Sequence, residues 1–330
     1  MLVTDLVNVR YLSGFTGSNA ALLVYADGRH AVLATDGRYR TQAANQAPDV
    51  EVTIARACAL TLADRATGNR VDRLGFESHV VTVDGYTALA NATGDTSELA
   101  RAAGTVEALR EVKDAGELAL LRLACEAADS ALKDLVTTGG LRPGRTEKEV
   151  GRELESRMLD HGADGVSFET IVAAGVNSAI PHHRPTDAVL VAGDFVKLDF
   201  RALVAGYPSD MTRTVVRGRA SDHQRKLWEA VREGQEMALK KMKPGADGLK
   251  IHNEIKKLFA DRGFPTEVRN GKNVGFFHGT GHGLGLEIHE FPRFQKTVFK
   301  AEQVLTVEPG LYYPGLGGVR IEDVAVVTEN

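Results

Sequence analysis

Apolar and polar residues follow two rhythms along this chain, and the change comes near residue 109. Up to about residue 108, short apolar runs at 20–25, 31–34, 50–54 and 74–76 are separated by Gly, Asp and Asn. That spacing predicts strands interleaved with helices in a small α/β domain. From 109 a helical period takes over. Asp114 with Glu117 opens a helix on which Leu118, Leu121, Cys125, Ala128, Leu132 and Leu135 share a face, and Thr146 with Glu149 makes a capping box for a second, carrying Val150, Leu154 and Met158 and ending near Gly162. Strand-like segments follow at 167–173, 195–203 and 211–216. The order then repeats: Ser221 with Gln224 caps a helix to about Met242, Asp247 starts another that stops at Gly263, and strand-like segments run near 274–278, 303–308 and 319–327. Two rounds of helix, helix, strands indicate an architectural repeat without evident residue-by-residue self-similarity. The expectation is an α+β domain over 109–330 with equivalent hairpins facing each other across a cleft, preceded by the α/β domain over 1–108.

Bulk properties narrow the function more than the fold. A chain of 330 residues fits two domains with ample core. Its net charge of −4, with basic residues dispersed, gives no electrostatic footprint for nucleic acid or an anionic membrane. No stretch approaches the roughly 18 apolar residues of a membrane span, and Asp5 and Arg10 precede any long apolar run. Cys58 and Cys125 are the only cysteines, so a disulfide framework is not expected and a cytoplasmic enzyme is.

Chemistry concentrates in HGTGHGLGLEIH, which sets His278, His282 and His289 among glycines at 279, 281, 283 and 285. An extended chain there puts His278 and His282 on one face, and the glycines are expected to let substrate and metals lie close to the backbone. Acids accompany the histidines. Asp199 interrupts the apolar strand VKLDF, and a buried unpaired carboxylate costs several kcal/mol, so it demands a counter-charge or a metal. A hairpin could bring Asp210 beside it; the plainer alternative is an ion pair of Asp199 with Arg201 or Lys197. Glu308 in VLTVEPG and Glu322 in GVRIEDVAVV repeat the arrangement, with Arg320 two residues before Glu322. Four carboxylates and one imidazole suit a pair of divalent ions such as Mn, Co, Fe or Zn. Calcium alone would not call for the histidine, no CxxC pair supports structural zinc, HEFPR lacks the second histidine of HExxH, and no phosphate-loop glycine pattern stands where strand meets helix.

These residues, in this order, resemble the metallopeptidase family of the pita-bread fold, which contains methionine aminopeptidases, aminopeptidase P and prolidase. The resemblance implies metal ligation by Asp199, Asp210, His282, Glu308 and Glu322, and two divalent ions per subunit, manganese foremost. AIPHHRPTD resembles the proline-specific branch, whose active-site histidine falls on His182; His183 and Arg184 read equally as a polar loop at the cleft rim. YLSGFTGSNAALLV fits the same branch, although relatives usually carry additional residues, including an opening helix, before that segment. The implied mechanism is hydrolysis by a metal-activated water. Glu308 passes the proton to the leaving nitrogen, His289 and His182 hydrogen-bond the reacting carbonyl, and His278 supports the metal shell at the edge of the substrate site. Arg320 orients the network, or else pairs with Glu322 or Asp210. Arg293 occupies the place where prolidases have an arginine for the carboxylate of a C-terminal proline, which favours an Xaa-Pro dipeptidase acting on a small peptide substrate over an aminopeptidase P; a non-catalytic peptide-binding relative is the third reading. The resemblance also implies a homodimer. Asp36 and Arg38 could reach a substrate terminus across it, but a salt bridge within their own turn is the simpler reading.

Overall fold

The computed structural model describes residues 1–167 and 169–329; Phe168, within the strand expected over 167–173, lies outside the described residues. Two units emerge, Met1–Arg110 and Glu111–Asn330.

In the first unit, strands β1 (Leu2–Val3), β2 (Ala20–Leu23), β3 (Val32–Thr35), β4 (Glu51–Ile54), β5 (Arg73–Phe76) and β6 (Glu98–Arg101) form one sheet in the order β4-β3-β2-β1-β5-β6. Helices α1 (Leu6–Ser13), α2 (Arg40–Gln46), α3 (Cys58–Gly68), α4 (Val83–Thr93) and α5 (Thr105–Arg110) cover it. Alternate strand residues face opposite ways. Leu2, Leu23, Val32 and Ala34 pack with Leu62 and Ala66 of α3, while Val3, Leu22 and Leu33 pack with Val9 of α1 and Ala43 of α2. Both faces are therefore apolar, which is why these strands read as continuous runs. Asp36 caps the turn after β3 and grips Arg38 with both carboxylate oxygens at 2.9 Å, the local salt bridge of the simpler reading.

The second unit consists of two similar halves. The first holds α6 (Ala115–Thr137), α7 (Glu147–Asp160), β7 (Gly165–Val166), β8 (Ile171–Ala174), β9 (Phe195–Phe200), β10 (Ala202–Val204), β11 (Tyr207–Pro208) and β12 (Met211–Val216). The second holds α8 (Asp222–Lys241), α9 (Gly248–Asp261), β13 (Glu267–Arg269), β14 (Lys272–Val274), β15 (His282–Gly283), β16 (Glu290–Arg293), β17 (Val304–Val307), β18 (Gly310–Tyr313), β19 (Gly317–Arg320) and β20 (Asp323–Val326). The capping boxes at Asp114, Thr146 and Ser221 all form, each satisfying two backbone N–H groups at its helix start.

Strand alternation sets which side chains reach the cleft. All six residues of β9 are buried, between β12 and β8. Val196, Leu198 and Phe200 pack on Leu135, Leu154 and Met158 of α6 and α7, each buried side chain stabilising by about 1.5–3 kcal/mol. Lys197 and Asp199 point the other way. Their register partners on β12 are Thr214 and Thr212. The second half mirrors this: Leu305, Val307 and Val319 pack with Ile255 and Phe259 of α9, leaving Thr306 and Arg320 on the inner face.

Four strand expectations change in detail. Among its described residues, the segment 167–173 is a strand only from Ile171, in β8. The segment 195–203 breaks at Arg201 into β9 and β10, and 319–327 breaks at Ile321 and Glu322 into β19 and β20, because Glu322 leaves its own ladder to bridge Thr212 of the first half. The segment 274–278 ends at Val274, where Gly275 turns the chain at φ +87°; a side chain there would meet the Pro265 carbonyl at 2.5 Å. Among the described residues, no helix is long and apolar enough to cross a membrane, and both cysteines are free.

Candidate metal centre

Five side chains converge on the inner face of the second unit. Asp199 ends β9, Asp210 precedes β12, His282 opens β15, Glu308 follows β17 and Glu322 lies between β19 and β20. The hairpin register brings the two aspartates together, since Asp199 stands opposite Thr212 and Asp210 lies two residues before it.

In three of the acids, one oxygen is clamped by protein and the other left alone. Asp199 Oδ2 accepts from Arg320 Nη2 at 2.6 Å, Asp210 Oδ1 from Arg201 Nε at 2.6 Å, and Glu322 Oε2 from the Thr212 hydroxyl at 2.6 Å. Asp199 Oδ1, Asp210 Oδ2 and Glu322 Oε1 are buried with no hydrogen-bond partner among the described residues. A buried carboxylate oxygen with no donor costs several kcal/mol unless something cationic reaches it.

His282 sharpens the point. Its Nδ1 donates to the Gly283 carbonyl at 3.1 Å, so Nε2 presents a lone pair, 3.6 Å from Asp210 Oδ2 and 3.6 Å from Glu308 Oε1. Burial, then the neighbouring His289, pushes its pKa down to about 3, so the ring cannot supply the missing proton. Lone pairs thus face lone pairs. One ligand atom each from Asp210, His282 and Glu322 lies within 4.8 Å of the others, which fits a divalent cation of borderline character. Burial and mutual repulsion push Asp210 up to about 7 and Glu308 and Glu322 well above ordinary carboxylates.

Behind the acids runs a second line of contacts. His278 Nδ1 donates to the Gly279 carbonyl at 2.7 Å, which leaves Nε2 to accept from the Tyr312 hydroxyl at 2.9 Å. That hydroxyl accepts in turn from Arg320 Nη1 at 2.9 Å. His278 therefore supports Asp199 through Tyr312 and Arg320, and its ring, driven to about 3 by burial, is engaged with Tyr312 rather than offered to a substrate. Arg320 pairs with Asp199, not with Glu322 or Asp210, and lies 3.9 Å from Glu308.

At the rim, His289 is exposed with its ring 4.3 Å from that of His282, and Arg293 on β16 stands opposite His282 in register. Among the described residues Arg293 has no carboxylate partner, and it lies 5.8 Å from the Phe291 ring. His182 is exposed, its pKa lowered by burial and then by Arg320, whereas His183 is buried against Glu147 at 2.8 Å and Arg184 pairs at the surface with Glu169 at 3.2 Å.

Three of the glycines have a packing reason to lack a side chain. A side chain at Gly281 would sit 1.8 Å from the Thr306 carbonyl, at Gly283 2.5 Å from the Phe291 backbone, and at Gly285 2.1 Å from the Glu290 carboxylate. On their Cβ side all three admit residues of neighbouring strands. Glu290 itself is tied to buried Lys113 at 2.6 Å, which fixes β16.

Sequence reasoning missed three contributors. Arg201 entered only as an alternative partner for Asp199; it lies 4.0 Å from Asp199 and bonds Asp210 instead. An arginine inside an apolar strand is the same anomaly as Asp199 and was a usable signal. Lys197 is fully buried, donating to the Ile180 and Pro181 carbonyls at 2.6 and 3.2 Å. Tyr312 gave no signal, since a tyrosine in GLYY reads as ordinary core.

Known proteins accord with this geometry. Residues 1–112 match the Creatinase/Prolidase N-terminal domain and residues 119–329 match metallopeptidase family M24. The uncharacterized peptidase YqhT of Bacillus subtilis is 39% identical over 334 residues, covering 100% of this chain and 91% of that protein. Among solved structures, an Xaa-Pro dipeptidase from Bacillus anthracis superposes with a TM-score of 0.90 at 37% identity, covering 99% of this chain and 90% of the other. An X-Pro aminopeptidase from Thermotoga maritima gives 0.88 at 32%, covering 99% and 93%. With a family match over most of the second unit and a full-length relative, this chain belongs to metallopeptidase family M24, whose members use divalent metal ions.

Proposed function

We propose that the chain is a metal-dependent Xaa-Pro dipeptidase, hydrolysing the bond before a C-terminal proline. Likeness to dipeptidase and aminopeptidase structures is nearly equal, so the choice rests on Arg293. Its guanidinium is exposed, has no carboxylate partner among the described residues, and stands across a strand pair from His282. A free proline carboxylate is its natural bidentate partner. A longer peptide carries no charge there.

The ligand set, Asp199, Asp210, His282, Glu308 and Glu322, would hold up to two divalent ions, with manganese our choice. The ions supply activation of water and polarisation of the scissile carbonyl. The remaining work belongs to the chain. Glu308, whose carboxyl is partly exposed and 3.6 Å from His282, accepts the water proton and returns it to the imino nitrogen of proline, a poor leaving group until protonated. His289 and His182, both at the rim and with lowered pKa, hydrogen-bond the carbonyl oxygen as it gains charge. Arg320, held by Tyr312 and Thr212, keeps Asp199 oriented.

The homodimer and the cytoplasmic location belong to the same reading; two free cysteines support the latter. Comparing kcat/KM for Ala-Pro and Ala-Pro-Ala after Mn addition tests the substrate class. Dipeptide preference is expected, and Arg293→Ala should raise KM for Ala-Pro at least about tenfold, the loss of one charge-assisted pair. Preference for the tripeptide by the wild type would replace this reading with the aminopeptidase one.

A further inference from the structure

The centre already contains a cation of its own. Arg201 leaves β9 at the break before β10, and its side chain is 5% exposed. Its Nε donates to Asp210 Oδ1 at 2.6 Å while Nη2 lies 4.0 Å from Asp199 Oδ1. An arginine this deep keeps its charge, because guanidinium does not deprotonate in proteins.

The consequence is asymmetry. On the Asp199 side, one aspartate is bonded to Arg320 and the other to Arg201, so both acids have a guanidinium against them. On the His282 side, Asp210 Oδ2 and Glu322 Oε1 have no donor, and the His282 lone pair faces them. With all four carboxylates ionised, as a bound cation would make them, Arg201 and Arg320 leave two negative charges, the complement of one divalent ion. A second ion would enter a neutralised site beside a fixed guanidinium, where repulsion acts at short range and low dielectric.

We propose that Arg201 is a resident counter-ion that makes the two metal positions unequal: one divalent ion binds tightly at Asp210, His282 and Glu322, and a second binds only as the Arg201 guanidinium is displaced from Asp210. The inference rests on the metallohydrolase reading above and deepens it. It assigns to one side chain the order in which the centre fills.

Calorimetric titration of the full chain, freed of metal by chelator and dialysis, with MnCl2 reads this directly. Wild type should take one ion tightly and a second at least about tenfold more weakly. Mn electron paramagnetic resonance should show an isolated ion at one equivalent and a spin-coupled pair only at higher additions. In Arg201→Leu the two affinities should converge to within about threefold, while Arg201→Lys, which keeps the charge, should preserve the inequality. Two ions of equal affinity in wild type, or a coupled pair from the first addition, would overturn the role of Arg201 even if the leucine variant fails to fold. Retention of the wild-type inequality in a folded Arg201→Leu would overturn it too. A wild-type chain that takes up no Mn at all would sink the metallohydrolase reading itself.

Discussion

Glu147 offers a test of how the rim of the site is held. It is the first residue of α7 and fully buried, yet it bonds nothing in its own helix with its side chain. Its Oε1 accepts from Ala174 N–H at 2.8 Å and Asn177 Nδ2 at 3.0 Å; its Oε2 accepts from His183 Nε2 at 2.8 Å, Thr186 N–H at 2.8 Å and the Thr186 hydroxyl at 2.7 Å. The carboxylate thereby pins both ends of the segment that carries His182. In Glu147→Gln, whichever way the amide turns, an –NH2 must face a backbone N–H that had been accepted. At least one backbone N–H is stranded, that of Ala174 or of Thr186, while the Thr186 hydroxyl, His183 and Asn177 can turn to accept; a loss of roughly 1–3 kcal/mol is expected. Trp228, the chain's single tryptophan, sits in α8 and makes its fluorescence a reporter of the second unit during urea unfolding. The midpoint should fall by about 0.5–1 M, and kcat/KM for Ala-Pro should fall with it as His182 loses its anchor. Acid adds a second readout. Burial raises this carboxyl, but the hydrogen bonds from Ala174, Asn177, His183 and Thr186 outweigh it and leave the pKa below its ordinary value. A depressed carboxyl pKa contributes stability above the unfolded value near ~4.3 and loses it as pH falls through the lower folded value. The wild type should therefore lose stability more steeply than Glu147→Gln below about pH 4. A glutamine variant within about 0.5 kcal/mol of wild type, with the same acid slope, would refute the reasoning.

Other perturbations address the centre itself. Glu308→Gln should lower kcat by roughly 10²–10⁴-fold while the protein still binds Mn in calorimetry, as befits loss of the proton carrier rather than of the whole site. Chelation should lower the melting temperature by about 5–10 °C in a fluorescence melt, the effect of removing an ion present at ~100 times its Kd, and re-added Mn should restore it. Gly281→Ala should cost about 2–3 kcal/mol in urea unfolding, because its new methyl group would lie 1.8 Å from the Thr306 carbonyl and must push β15, with His282, away from β17; an alanine variant as stable as wild type would count against the strand-packing role of these glycines.

The elements that the period of the sequence predicts are those with strong local grammar. Capping boxes and amphipathic helices depend on residues three or four apart, and all of them form. Asp199, Asp210, Glu308 and Glu322 stand out because carboxylates in apolar strands have few physical explanations. What lies beyond local grammar is the pairing. Asp199 meets Arg320 across 121 residues, Glu322 meets Thr212 across 110, and neither distance leaves a trace in spacing. Glu147 was hidden for a different reason: an acid in the first turn of a helix is what the dipole favours anyway, so its long-range task was indistinguishable from an ordinary one. The glycines of HGTGHGLG were visible, but close backbone approach in sequence does not say which strands approach, and Thr306 and Phe291 supply them.

The bridge between Thr212 and Glu322 joins the inner strands of the two halves by a backbone hydrogen bond, and it is flanked by contacts from Thr214 to Arg320. Neither half owns the centre: two aspartates come from one, a histidine and two glutamates from the other. An ion seated there would work as a rivet through overlapping plates, and the inner faces could not drift apart without letting it go. A repeat that joined two copies of one plan has in this way made their separation costly, because the chemistry exists only along the join.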